Sequence, residues 1–464
     1  MKTVQDVIQV RKTLMVLFCA LAIGSVHAET LEDIYNLAVL NDPQLGVAQA
    51  VFLSRNEVVA QNRALILPSL SVVGETSDNR RTFPTNPNPS LISLNPPTTA
   101  RFNDHSWAAI LNQPVFRLDS WYRFQQSKSI QAEAVANFAT EQQSLLVRVA
   151  ESYFAILEAE AALSASGAER DAVQRQLEQV QQRFDVGLVA ITDVLESQAA
   201  YDSSTVNVIE AEGAQSTSFE PLLRLTGSNL QNVNGLEEEF PIKYPEPQNE
   251  EAWVEIALQN NYSLTSARER LHTAEKGVKL AKAGHYPTID AQIAYGHNVS
   301  GSANFLGNKL DQRSMSLNLT VPIYQGGRVR SLVRQSGYDL EAAQQNFDLI
   351  QRQVVEATRS LYTAINTDVA RVRARLRGIE SSQSALDATQ TGYEVGTRNI
   401  VDVLNAQRTL YLSQFQYASA RYQYVLDTLR LKQAVGTLSP EDIYDLNNFI
   451  DSAITVSRTT PTTR

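Results

Sequence analysis

The chain is written twice, and that duplication constrains its fold more than any other feature. Ile34, Leu37, Ala38, Asn41 and Leu45 return as Trp253, Ile256, Ala257, Asn260 and Leu264. Leu67-Pro68-Ser69-Leu70 returns 219 positions later as Tyr286-Pro287-Thr288-Ile289. Asn112-Gln113-Pro114-Val115-Phe116 returns after 208 positions as Thr320-Val321-Pro322-Ile323-Tyr324. Phe184-Asp185-Val186-Gly187 and Asp193-Val194-Leu195, with Gln198, return after 209 as Tyr393-Glu394-Val395-Gly396 and Asp402-Val403-Leu404, with Gln407. Four matches in one order describe two tandem structural halves. The fall in offset gives the first copy the longer loop between its two prolines.

Each half reads as a short helix, a medium helix, two strands, and a very long helix folded back on a shorter one. Leu118 to Val186 contains no proline and only Gly167, while Arg328 to Val395 contains no proline and only Gly337, Gly378 and Gly392. Both stretches are rich in Ala, Gln, Glu, Arg and Leu, which favour helix. Leu145, Val149, Tyr153, Ile156 and Leu163 recur at helical spacing, as do Phe347, Ile350, Val354, Ala357 and Leu361. That pattern is the seam of a packed helix pair. Some 68 residues at roughly 1.5 Å per residue reach about 100 Å, a spacer or a tube wall rather than a globular core. Glycine just past each helix end, at Gly187 and Gly396, marks a left-handed cap and a hairpin tip.

The strands precede the long helices. Ile289, Ala291, Ile293 and Tyr295 alternate with polar or small residues, and Met315, Leu317, Leu319 and Val321 do the same. Leu70, Val72 and Gly74, and Trp107, Ala109 and Leu111, form a less regular first pair. About nine residues of period two match a tilted strand that crosses a membrane. A small soluble sandwich is the bland alternative on the strands alone. The Pro-rich stretch Asn79 to Asn103 and the Gly/Ser/Asn-rich stretch Ser300 to Gln312 read as exposed loops.

Arg11 and Lys12 precede an apolar run from Leu14 to Ile23 that ends at Val26-His27-Ala28. This is a secretory signal with cleavage after Ala28. It contains the only cysteine, Cys19, so a disulfide and a thiolate metal site are excluded by counting. Cleavage removes Lys2, Arg11, Lys12 and Asp6, a net +2, which takes the formal charge from −10 to −12. A net-acidic chain without a basic stripe argues against nucleic acid. No later segment offers 18 consecutive apolar residues, so a membrane crossing must use strands. Four strands cannot enclose an open lumen, and an open edge in lipid is forbidden, so several chains must share one barrel. Three chains would give twelve strands, a number within the bacterial range. Counting alone leaves a tetramer open.

The tips Val-Gly-Leu-Val-Ala-Ile-Thr-Asp-Val-Leu (186–195) and Gly-Tyr-Glu-Val-Gly-Thr-Arg-Asn-Ile-Val-Asp-Val-Leu (392–404), with Pro322-Ile323-Tyr324-Gln325-Gly326-Gly327, resemble the TolC family of outer-membrane efflux proteins. The resemblance spans about Leu31 to Leu446. It implies an α+β, internally duplicated membrane protein of the Gram-negative outer membrane that extends into the periplasm. Four strands per chain would enter a shared twelve-stranded barrel of a homotrimer. Long antiparallel helices would form a periplasmic α-barrel with a small mixed equatorial region. The implied partners are outer-membrane lipid, a periplasmic adaptor (membrane fusion protein), and an inner-membrane efflux pump or ABC-type exporter, for multidrug export or type I secretion through a porin-like channel. No cofactor is implied.

This organisation divides the chain into a signal peptide (1–28), a first repeat (29–249), a second repeat (250–454) and a disordered tail (455–464). The first repeat has strands at 66–77 and 106–116, a long helix at 118–186, a tip turn at 186–190, a return helix at 191–219 and an equatorial linker at 221–249. The second has strands at 286–298 and 313–324, a long helix at 328–395, a tip turn at 395–398, a return helix at 399–435 and an equatorial segment at 436–454.

Carried over residue by residue, Tyr393 and Arg398 match the gate pair that links neighbouring hairpins. Asp193 and Gln176 match their partners on the first hairpin. Asp402 matches the acidic ring at the narrowest point, where the resemblance implies cation binding. A second acid usually follows three positions later, and this chain has Asn405 there. Gln390 likewise stands where the family pattern usually has an acid. Gly187, Leu188, Gly396 and Thr397 match the adaptor-contacting tips. The plain alternative for Asp193 and Asp402 is stabilisation of a helix N-terminus, and for the glycines a helix cap. Trp107 and Trp121 suit an aromatic girdle at the membrane interface or ordinary packing.

Two other function classes compete. A periplasmic coiled-coil scaffold without a pore would need neither the alternating strands nor the Pro-rich loop. An enzyme would need a site, yet His105, His272, His285 and His297 are scattered, and no Gly-x-Ser-x-Gly or phosphate loop occurs.

Overall fold

The structure, a computed structural model, describes residues 28–82, 99–301 and 309–459. The signal segment before Ala28, most of both strand-joining loops and residues 460–464 lie outside the described residues.

The first half runs α1 (Leu31–Asn41), α2 (Pro43–Ala64), β1 (Ser69–Thr82), β2 (Thr99–Phe116), α3 (Leu118–Asp185), α4 (Ile191–Ser218), α5 (Glu220–Thr226) and β3 (Asn232–Leu236). The second runs α6 (Glu250–Asn260), α7 (Tyr262–Ala283), β4 (Thr288–Ser300), β5 (Lys309–Thr320), α8 (Arg328–Glu394), α9 (Ile400–Ala434), α10 (Pro440–Asn447) and β6 (Ile450–Ser457). The same capping chemistry breaks each opening helix pair. Asp42 accepts from the N–H groups of Gln44 and Leu45, with Pro43 in the first helical position. Asn261, 219 positions on, accepts from Leu264 N–H at 2.8 Å. A short polar side chain there satisfies the free donors of the second helix.

The four long strands form one antiparallel sheet in the order β1-β2-β4-β5. Its register sorts the residues by face. One row across the sheet is Leu70, Leu111, Ile293 and Met315, and the next is Val72, Ala109, Tyr295 and Arg313. The other face carries Ser69, Asn112, Gln292 and Ser316 in one row, and Val73, Ala108, Gly296 and Gln312 in another. The apolar face is open, with Met315 81% exposed. Along the strands the apolar band stops at Trp107 and Tyr295, whose rings lie 5.4 Å apart, and then at the His297–Asp311 contact of 2.6 Å. Trp121 sits in the first turn of α3, its ring 6.1 Å from that of Phe124.

The strands run longer than alternation predicts. The first pair covers 69–82 and 99–116, so only 83–98 of the expected loop lies between them. Hydrogen-bonded pairing carries the ladder into polar sequence, where no apolar alternation signals it. The fourth strand stops at Thr320 rather than near 324. Pro322 cannot donate to a ladder there, whereas in the first copy Pro114 is passed by a register shift between Pro114 and Phe116. The tail expected to be disordered from 455 is ordered through Ser457. Its strand β6 pairs with β3 inside the stretch read as an irregular linker. That pairing joins segments more than two hundred residues apart, so no local pattern announces it.

Below the sheet, α2, α3, α7 and α8 pack side by side in that order; lower still the order is α4, α3, α9, α8. Thus α8 forms one free edge over its whole length, with α2 and α4 forming the other. A belt of α1, α5, α6, α10, β3 and β6 packs against the middle. The main core lies there: Leu145, Val149, Tyr153, Phe154 and Ile156 of α3 meet Leu31 and Ile34 of α1, Leu222 of α5 and Ile443 of α10. The Tyr153 hydroxyl donates to the Asn234 carbonyl at 2.5 Å and fixes the belt to the tube.

Candidate functional site at the helical tips

The far ends of both helical hairpins come together around a second, separate core of Val180, Val194, Leu386, Tyr393, Ile400, Val403 and Leu410. The turns form because Gly187 and Gly396 adopt φ of +76° and +80°, where a Cβ would be strained. Their N–H groups close the helix ends, with Gly187 donating to Phe184 O at 2.8 Å and Gly396 to Tyr393 O at 3.1 Å. Val186, Leu188 and Val395 are left exposed at the extremity, Leu188 at 74%. Thr397 is also exposed, its hydroxyl donating to Gly392 O at 3.0 Å.

Tyr393 and Gln176 are buried, while Asp193 is half-buried in the first turn of α4. The Tyr393 hydroxyl has no hydrogen-bond partner among the described residues. The Arg183 guanidinium of α3 lies over its ring at 5.3 Å. Burial, with the nearby Asp193 carboxylate, raises the Tyr393 pKa above the ordinary phenol value. Gln176 is buried on α3. Arg398 and Asp402 belong together instead: Arg398 Nη1 lies 3.7 Å from Asp402 Oδ2, one turn apart on the same segment. Asp402 also closes a capping box, its N–H donating to Asn399 Oδ1 at 2.8 Å while its carboxylate accepts from Asn399 N–H at 3.5 Å. Asp402 therefore stabilises the start of α9 and still presents a half-buried carboxylate. Asn405 lies exposed, on the same helix face one turn further on.

Sequence reasoning missed Arg183, which is unremarkable on a helix rich in Arg and Gln until folding sets it over Tyr393. It also missed Gln407, buried on α9, whose Oε1 has no partner among the described residues. Its recurrence opposite Gln198 in the repeat was the available signal. Among the described residues no cluster of His, Cys, Asp or Glu has metal-holding geometry. The arrangement can hold two hairpins together through a small apolar core and weak polar contacts, and it can present acids at one level of the tube. Such a joint can close and open, because surface ion pairs contribute only about 0–1 kcal/mol each.

Comparison with known proteins agrees with this geometry. The family model for outer membrane efflux proteins matches residues 34–228 and 253–437, one match per half. Outer membrane protein TolC of Vibrio cholerae is 36% identical over 444 residues, covering 94% of this chain and 98% of that protein. The alkaline protease secretion protein AprF of Pseudomonas aeruginosa is 27% identical over 415 residues, covering 89% and 85%. The crystal structure of the outer membrane protein VceC from Vibrio cholerae superposes with a TM-score of 0.75 at 17% identity, covering 88% of this chain and 96% of that one.

Proposed function

Because this chain belongs to the outer membrane efflux protein family, we propose that its halves, residues 29–249 and 250–454, each supply two strands and two staves to a homotrimeric export duct. The protein is an outer-membrane efflux channel that reaches into the periplasm. The observation that carries the shared barrel is the sheet with two unpaired edges, β1 and β5, and one apolar face; the copy number of three is what the family resemblance implies. In lipid every backbone donor and acceptor needs a partner, so β5 of one copy pairs with β1 of the next. The small polar face then lines the lumen.

The helices make the same demand. The free edges, α4 and α8, are chemically complementary. α4 contains Asp193, Glu196, Asp202, Glu210 and Glu212 and no Lys or Arg. Between 371 and 377, α8 carries Arg371, Arg373, Arg375 and Arg377. Counted from the tip at roughly 1.5 Å per residue, Glu210 and Arg377 both lie about 26–29 Å up the tube. Ring closure sets α4 of one copy beside α8 of the next and brings these charges together.

The tips form the gate. Tyr393, Arg398, Asp193 and Gln176 hold the hairpins. Three Asp402 carboxylates ring the entrance, and their repulsion favours a bound cation. Asn405 leaves that ring single. Gly187, Leu188, Gly396 and Thr397 meet the adaptor, which couples the duct to an inner-membrane pump or ABC-type exporter carrying drugs, small molecules or proteins. Purified protein in a planar bilayer should give discrete single-channel currents. Absence of current from a properly folded preparation would favour the pore-less scaffold.

A further inference from the structure

At the junction between sheet and tube, the end of α7 and the start of α8 frame an open groove of about 590 Å³. It is lined by Lys282, His285, Tyr286, Arg330, Val333 and Arg334. The two helices touch there because Gly284 leaves room for Val329, whose methyls come within 3.2–3.3 Å of where a Cβ would stand. Three permanent cations share this wall with no acid among them. Among the described residues, none of Lys282, Arg330 and Arg334 forms an ion pair. The first turn of α8 holds no acid either. Exposed like charges set side by side with no carboxylate between them repel only weakly in water, but together they raise the local affinity for an anion.

Position identifies the anion. Tyr286 lies two residues before β4, and Arg330 and Arg334 lie about 3 and 9 Å into α8 from its first residue. The headgroup layer of a bilayer is on the order of 5–8 Å thick on each side of its hydrocarbon core. The groove therefore sits at headgroup depth on the periplasmic side. It also faces outward. Arg330 and Arg359 are 29 residues apart, close to eight whole helical turns, so they share one face of α8. Arg359 holds the belt helix α6 through Glu250 at 3.1 Å and Glu251 at 2.8 Å. A belt on that face leaves the lumen open only if the face is the outer one, a step that rests on the channel reading above.

We propose that Lys282, Arg330 and Arg334 bind the phosphate of an anionic glycerophospholipid in the periplasmic leaflet of the outer membrane. Tyr286, half exposed beside them, packs against the glycerol and upper acyl chain. Two arginines and a lysine converge on a phosphate as charge-assisted donors.

The test is native mass spectrometry of the full-length protein in detergent, titrated with dioleoyl phosphatidylglycerol or dioleoyl phosphatidylcholine. Phosphatidylglycerol should bind at least tenfold more tightly. Arg330→Gln with Arg334→Gln should abolish that preference, and Arg330→Lys with Arg334→Lys should keep most of it. Circular dichroism and oligomeric mass report whether each variant is folded. Equal affinity for both lipids, or an unchanged preference in a folded Gln variant, would overturn the proposal. So would full competition by millimolar inorganic phosphate, which would mark a free-anion site. Single-channel recording on the same preparation separates the two readings: current without lipid preference removes the lipid site alone, and absence of current removes the channel reading.

Discussion

The α8–α9 packing contains a buried pair of carboxyls whose removal should stabilise the protein at neutral pH. Asp368 of α8 has a side chain only 2% exposed. Its Oδ1 accepts from Arg371 Nη1 at 2.7 Å, while its Oδ2 is buried with no donor among the described residues. Asp427 of α9 faces it and is held by Arg430 at 2.9 Å, which in turn pairs with Glu151 at 2.7 Å. Burial pushes the Asp368 pKa from 3.8 up to about 6; Arg371 opposes that rise and Asp427 adds to it. A folded value above the unfolded one means that the fold favours the protonated carboxyl. The contribution is therefore fully present below about pH 4 and is lost as pH rises through 6. At 1.36 kcal/mol per unit, the penalty at pH 7.5 is about 3 kcal/mol. Asp368→Asn removes the charge and lets an amide donate to Asp427. It weakens the contact to a half-exposed Arg371, a loss of about 0–1 kcal/mol. The variant should gain about 2–3 kcal/mol at pH 7.5 and nothing at pH 4, measured as thermal and denaturant midpoints of the detergent-solubilised protein at both pH values. Asp427→Asn should lessen the same pH dependence without removing it, because burial of Asp368 is its main cause, and the double variant should add little to Asp368→Asn. A stability loss at pH 7.5, or an undiminished pH dependence in both single variants, would refute the buried-carboxylate account.

Asp402→Ala should lessen block by polyvalent cations added on the periplasmic side, and Arg398→Ser should raise single-channel conductance; unchanged currents in both would remove these residues from the gate. Ile400→Ala opens a cavity in the tip core and should cost about 2–5 kcal/mol, confined to faster amide exchange in residues 180–194 and 386–410; uniform protection would show that the tip is no independent unit. Charge reversal at the seam should weaken the trimer in Glu210→Lys and in Arg377→Glu and restore it in the double variant, read by size-exclusion and crosslinking; two additive losses would mean that the pair does not meet.

The sequence by itself determined the features that rest on local chemistry or on repetition. Two proline-free stretches made the long helices, and Gly187 and Gly396 placed both tips, because a left-handed cap needs only the residue that adopts it. The repeat set the number of strands and staves, and strand counting required an assembly. Tertiary structure decided whatever depends on partners far away in the chain. The β3–β6 pairing, Arg183 over Tyr393 and Asp368 facing Asp427 join residues separated by about 60 to 220 positions, and none carries a periodic signal. It also decided where strands end, since pairing extends β1 and β2 through polar residues while Pro322 stops the ladder that Pro114 survives through a shift in register. Above all it decided which charges are neutralised: an arginine reads the same in sequence whether it meets a carboxylate, a ring or an open groove, and only packing distinguishes them.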